Sequence, residues 1–274
     1  SDHEEYEIPK QPTVEFVKKL ASKYKTQTTQ VGGLHPRQLQ GLSDQALHCL
    51  INFWQWGFIV GQVPKPQRHV EVILIPKDSG GLRPIMLFGT LTRVMMKAYY
   101  GAAFEWQSNF KDAEINMAPG RGVGDATWRQ QIRRELFQEG LAKRFGGEVL
   151  LGLMKCYEHV DREILVKWGQ FFGYPGAYLR FSIAAYGWGR NMKWQGIYAN
   201  KVYAQRGIAA GSVAAPIELV VHLLDGIRKL KEGVPHSVIS VHVDDISIAR
   251  LSKDRQEVLD DMEKARDIMN NEFI

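Results

Sequence analysis

Cysteine is scarce in this chain. Cys49 and Cys156 are the only two in 274 residues, far apart and without a CxxC spacing. That excludes a disulfide framework and a cysteine-built zinc site, and reads as buried thiols in a reducing compartment. Long uninterrupted apolar runs are also lacking. The longest such stretch, Ala209 to Ile227, is broken by Glu218, His222 and Asp225 and is too polar to span a bilayer. No internal repeat or low-complexity tract occurs. A large charge of one sign is missing too: 35 Lys and Arg face 30 acids, a formal +5. This leans toward nucleic acid over acidic partners, although many metabolic enzymes are equally basic. A hydrophobic fraction of 45% suits an ordinary core and excludes global disorder.

The length allows one large domain or two lobes around a cleft. Residues 1–12 begin with the acidic, polar Ser1 to Tyr6 and read as a tail, not a signal peptide. Val14, Phe16, Val17 and Leu20 open a helical pattern. Leu47, Leu50, Ile51 and Trp54 follow at helical spacing behind Ser43-Asp44, a plausible N-cap. Val70 to Ile75 reads as a strand, with Lys77 to Gly81 as its turn. Thr90 to Trp106 predicts one long helix. Met117 to Asp125 reads as a glycine-rich loop leading into a helix rich in Arg and Gln. Glu148 to Met154 predicts a buried strand. Asp161 opens a helix that Gly173 and Pro175 close. Met192 to Ala204 predicts a short hairpin turning near Asn200. Helices are expected around Ile217 to Ile227 and Val258 to Met269. Elements in this order make an α+β protein rather than a regular βαβ alternation.

The most informative stretch is Ser240-Val241-His242-Val243-Asp244-Asp245-Ile246-Ser247-Ile248. Two adjacent acids sit between runs that alternate like strands, as at the tip of a tight hairpin. Such a tip reads either as a solvated turn, since Asp is favoured there, or as half of a carboxylate clamp for metal. Phosphoryl-transfer chemistry uses two metal ions roughly 3.5–4 Å apart, held by carboxylates from strands that run side by side.

Other stretches occur with it in a particular order. Ile75-Pro76-Lys77-Asp78-Ser79-Gly80-Gly81-Leu82-Arg83-Pro84-Ile85 places a Lys and an Arg on a short hairpin. Arg can grip a phosphate bidentately, and Lys acts as a point charge. Gly33-Leu34-His35-Pro36-Arg37, Gly120-Arg121-Gly122-Val123-Gly124-Asp125-Ala126, Lys155-Cys156-Tyr157-Glu158-His159-Val160 and Gly207-Ile208-Ala209-Ala210-Gly211-Ser212 complete the series. Singly, each reads as a turn or a core element. In this order, from about Gly33 to Asp245, they resemble reverse transcriptases of the non-LTR retroelement and group II intron kind.

The resemblance implies a right-hand-like fingers and palm, with a small antiparallel palm sheet packed on helices. It implies that 13–145 is mostly fingers with some palm helix, and that 146–274 is mostly palm. Thumb, endonuclease and ribonuclease H segments are not expected within these residues. It further implies RNA-directed DNA synthesis by a two-metal mechanism. The ions would be Mg2+ or Mn2+, and the partners an RNA template, a DNA or RNA primer and deoxynucleoside triphosphates. Asp244 and Asp245 would hold the metal and be catalytic. Lys77 and Arg83 would bind the triphosphate, and Tyr157 would select deoxyribose. Gly211 would let the backbone approach template and substrate.

Three positions depart from the family pattern. The family carries a catalytic aspartate five residues before the aromatic of the Tyr157 stretch, where this chain has Gly152. Glu148 shares the expected strand face, but four residues at about 3.3 Å each put it roughly 13 Å away. Ala210 stands where glutamine is common. His242 replaces the usual aromatic beside the acids, and reads more simply as a strand residue than as a ligand. The alternative to an impaired polymerase is a catalytically silent relative that binds nucleic acid, or a retroelement remnant.

Overall fold

The computed structural model describes residues 6–78, 80–109, 123–138, 144–194 and 196–273. Of the loop expected at Met117 to Asp125, residues 117–122 lie outside them, and Val123 to Asp125 are already helical. The chain divides into two compact units: Ser1–Trp106 with Tyr157–Glu218, and Gln107–Cys156 with Leu219–Ile274. The architecture is α+β, with two small sheets. Among the described residues, no helix is long and apolar enough to cross a membrane.

In the first unit, helix α1 (Val14–Ser22) starts where Thr13 Oγ1 accepts from the Phe16 amide. Helix α2 (Asp44–Val60) starts in the same way at Ser43 and stops at Gly61, whose φ of +80° is a left-handed C-cap. Thr90 to Trp106 is not one helix. It breaks into α3 (Thr90–Ala98) and α4 (Gly101–Asn109). Gly101 is a weak propagator. Tyr99 leaves helical geometry to bury its ring 4.6 Å from that of Phe58, so tertiary packing overrides the periodicity. Phe58 also meets Tyr178 and Phe181, making an aromatic core. Cys49 is exposed, on the outward face of α2, whereas Cys156 is buried; the expectation of two buried thiols fails at Cys49.

Strands β1 (Val70–Pro76) and β2 (Leu82–Phe88) form an antiparallel hairpin. Strand β4 (Arg190–Trp194) runs parallel to β1, and β5 (Ile197–Tyr198) closes the sheet in the order β2-β1-β4-β5. The β4–β5 hairpin reverses at Gly196, with φ +84°, and not at Asn200, because glycine supplies the left-handed residue. A one-turn helix, α6 (Cys156–His159), leads to α7 (Arg162–Phe171), capped by Asp161 Oδ1 on the Glu163 and Ile164 amides. Helix α8 (Gly176–Tyr186) follows.

In the second unit, β3 (Phe145–Gly152), β6 (Val238–His242) and β7 (Asp245–Ser252) make an antiparallel sheet, ordered β3-β7-β6. Val241, Ile246 and Ile248 are buried beneath it, each contributing about 1.5–3 kcal/mol. Helix α10 (Arg255–Phe273) lies on β3 where Gly147 has no side chain: a Cβ there would come within 2.8 Å of Val258 Cγ1. Helix α5 (Val123–Gln138) also belongs to this unit, and α9 (Ala215–Gly233) runs through the boundary.

Glu218, near the start of α9, is fully buried and accepts from the Tyr186 hydroxyl. Burial pushes its carboxyl up to about 7, while that hydrogen bond pulls the other way. The folded chain therefore holds a proton that the unfolded chain loses between pH 4.5 and about 7. Stability falls as pH rises through that window and stays lower above it. Glu218→Gln keeps the size and the acceptor but cannot ionise. By urea denaturation the variant is expected to match the parent near pH 4.5. It should exceed it by on the order of 3 kcal/mol at about pH 8.

Candidate active site

The alternation from Ser240 to Ile248 folds as its pattern predicts. β6 and β7 pair with His242 opposite Asp245, leaving Val243 and Asp244 as a two-residue turn. Val243 has φ +56°, which glycine adopts freely and a β-branched residue resists. A strained residue at a hairpin tip is a mark of functional sites.

Strand β3 brings position 152 to this tip. Gly152 pairs directly with Asp245, and the Leu153 amide donates to the Asp244 carbonyl at 2.8 Å, carrying the pairing past the strand end. A Cβ built on Gly152 would lie 3.6 Å from Asp245 Oδ1, an ordinary contact. Gly152 is exposed, and its φ is not positive. Among the described residues the position beside the acids is thus open, and an L side chain fits it.

Among the described residues, no nearby acid fills that opening. Glu148 pairs with Ala249, further along β3. Its two oxygens are held from α5, one by Gln130 Nε2 at 3.0 Å and the other by the Arg134 guanidinium at 3.4 Å. Asp161 is committed to capping α7. Between α5 and the sheet lies a cleft of about 410 Å³, whose polar lining includes Gln130, Arg134, His242, Asp245 and Ser247. His242 Nδ1 is buried there and has no hydrogen-bond partner among the described residues. The sequence had given no sign that α5 brings Arg134 to this cleft.

Among the described residues, no group of three or more His, Cys, Asp or Glu is arranged to hold a metal. Two adjacent carboxylates suit Mg2+ when water and phosphate oxygens supply the remaining ligands.

The other sequence-derived residues belong to the first unit. Lys77 and Arg83 flank the β1–β2 turn, where Ile75 pairs with Arg83. Gly80 and Gly81 have φ of +86° and +79° and close the turn. Both cations are exposed and make no ion pair among the described residues. With Ile75, Pro76 and Asp78 they line a recess of about 280 Å³.

Tyr157 is half-buried on α6, and its carbonyl accepts from the Ile208 amide at 2.8 Å. Val160 accepts from Gly207 at the same distance. Arg162 binds the carbonyls of Gly207, Tyr186 and Arg206, locking the 207–211 loop to this turn. Nothing in its sequence context marked Arg162 as that clamp. Ala210 accepts from the Met86 amide at 2.8 Å, so the loop lies on the edge of β2. Gly211, φ +110°, is needed there: a Cβ would fall 2.4 Å from the Met86 carbonyl.

The two acids and position 152 therefore converge in one unit, and Tyr157, Gly207 and Gly211 are tied together in the other. The chain matches no family model and none of the curated proteins.

Proposed function

We propose that this chain is a reverse-transcriptase-like domain of retroelement type, whose metal-binding centre is one carboxylate short. The observation that carries this reading is the pairing of Gly152 with Asp245 at the acidic hairpin tip. In this reading Asp244 and Asp245 would hold Mg2+ or Mn2+, which would supply charge neutralisation for in-line attack by a primer 3′-hydroxyl on the α-phosphate of a nucleoside triphosphate, with pyrophosphate leaving. Lys77 and Arg83 grip the triphosphate, Arg83 through its planar fork. Tyr157 lies under the sugar and favours deoxyribose. Gly211 gives template and substrate a close approach to backbone. The family's third carboxylate has no substitute among the described residues of the second unit, because Glu148 is held by Gln130 and Arg134. RNA-directed DNA synthesis is then the ancestral activity and is impaired in this chain.

The engagement of Glu148 by Gln130 and Arg134 also favours a second reading, a silent relative that retains nucleic-acid binding. Both readings expect an RNA–DNA hybrid to bind with an affinity that falls steeply as salt rises, since phosphate contacts release counterions. Fluorescence anisotropy over a salt series measures this, and an affinity indifferent to salt counts against both. Primer extension with Mg2+ or Mn2+ separates them: low but template-dependent product marks the impaired polymerase, and none marks the silent relative. Brisk extension by the unaltered chain would remove the assignment of position 152.

A further inference from the structure

Helix α3 carries two cations one turn apart, Arg93 and Lys97, at a recess of about 180 Å³ in the first unit. Tyr24, Phe88, Met96 and Gly211 to Val213 form the rest of its lining, and no carboxylate contributes. Arg93 is half-buried. Its Nη2 donates to the Thr29 carbonyl at 2.8 Å and reaches Thr90 Oγ1 at 3.5 Å. Its Nε is buried with no hydrogen-bond partner among the described residues. Lys97 is exposed and holds its Nζ 4.9 Å from the centre of the Tyr24 ring. Neither cation makes an ion pair among the described residues. The charge neighbour of Arg93 is Tyr24, a phenol that burial keeps neutral, and burial holds the guanidinium pKa below its usual value.

Like charges at i and i+4 on a helix repel. A guanidinium partly removed from water without a counter-ion is costly. Both costs fall when an anion enters the recess. A guanidinium suits a tetrahedral oxyanion, and an ammonium adds a second charge. The volume is below the roughly 300 Å³ at which pockets hold a drug-sized ligand whole. It suits one phosphate group better than an entire nucleotide.

We propose that the recess formed by Arg93, Lys97, Tyr24 and the Gly211 segment is a phosphate subsite. That its phosphate belongs to a nucleic-acid strand rests on the reverse-transcriptase-like reading, which sets Gly211 against the template. A free phosphate would satisfy the same chemistry.

The test uses the full chain with two probes, a labelled single-stranded RNA across a salt series and inorganic phosphate followed by 31P line broadening. Lys97→Met changes only an exposed side chain. Arg93→Lys keeps the charge and loses the fork. Arg93→Gln with Lys97→Met removes both charges, and thermal melting checks that it folds. The double variant is expected to lose roughly tenfold or more in RNA affinity at low salt. Its dependence of log affinity on log salt should be shallower by about 0.7 for each phosphate contact removed. Arg93→Lys should fall between it and the unaltered chain. Unchanged RNA affinity and slope in the double variant overturn the subsite and leave the polymerase-like reading standing. If the double variant does not fold, Lys97→Met decides, and an unchanged slope there overturns the proposal. Phosphate binding that Lys97→Met weakens, in a chain that ignores RNA, keeps the subsite and overturns the nucleic-acid reading. Binding of neither probe overturns both.

Discussion

Gly152→Asp is expected to raise Mg2+-dependent primer extension by about 10³-fold or more, the usual scale for a group acting directly on the reacting centre. The backbone at 152 accepts an L residue, since its φ is not positive and, among the described residues, a new Cβ meets only Asp245 Oδ1, at 3.6 Å. A carboxylate there would join Asp245 across the β3–β7 pairing and complete a cross-strand clamp for metal. Charge is the active ingredient, so Gly152→Asn, of nearly the same shape, should give little or no rise. Asp245→Asn in the Gly152→Asp background should cancel the gain. Extension on an RNA template with labelled primer reads all three. If Gly152→Asp and Gly152→Asn are equally inactive, while both still bind RNA–DNA hybrid, the clamp is not the missing part.

The second large effect falls on folding. Gly207→Ala is expected to destabilise the chain by about 3–5 kcal/mol, combining left-handed strain with overpacking. Gly207 has φ +83°, and a Cβ would lie 2.7 Å from the Glu158 carbonyl oxygen and 2.9 Å from that of Tyr157. Both obstacles are backbone, so no side chain can rotate away. The loop would have to lift from α6, breaking the Gly207 to Val160 and Ile208 to Tyr157 hydrogen bonds. Gly32→Ala is the matched control. Gly32 has the same φ of +83° but nothing within 4 Å of a Cβ, so it should cost only about 1–2 kcal/mol. Urea midpoints measure both. Equal losses at the two positions would show that close backbone approach contributes nothing at Gly207.

Several elements follow from local sequence. The β6–β7 hairpin does, because a period of two with two turn residues between leaves one register that buries Val241, Ile246 and Ile248 together. The caps at Thr13, Ser43 and Asp161 do as well, since each cap bonds to an amide only two or three residues on. Two stretches misled. Thr90 to Trp106 has an unbroken helical pattern, yet Tyr99 is worth more packed on Phe58 than in a continuous helix. Asn200 is a good turn residue, but Gly196 bends at lower cost. The parallel pairing of β1 with β4 spans more than a hundred residues and leaves no local trace.

The sequence alone determined that two acids sit on a hairpin tip, that a glycine stands at 152, and that Lys77 and Arg83 flank a turn. Each depends on alternation, turn chemistry or identity within a few residues. Tertiary structure decided that Gly152 faces Asp245, that Gln130 and Arg134 hold Glu148, and that Gly207 and Gly211 lie under backbone carbonyls. It also decided that Arg93 and Lys97 share a recess without a carboxylate. Those relations join residues distant in the chain. They are set by which surfaces pack, and packing depends on the shape of the whole unit rather than on any one segment.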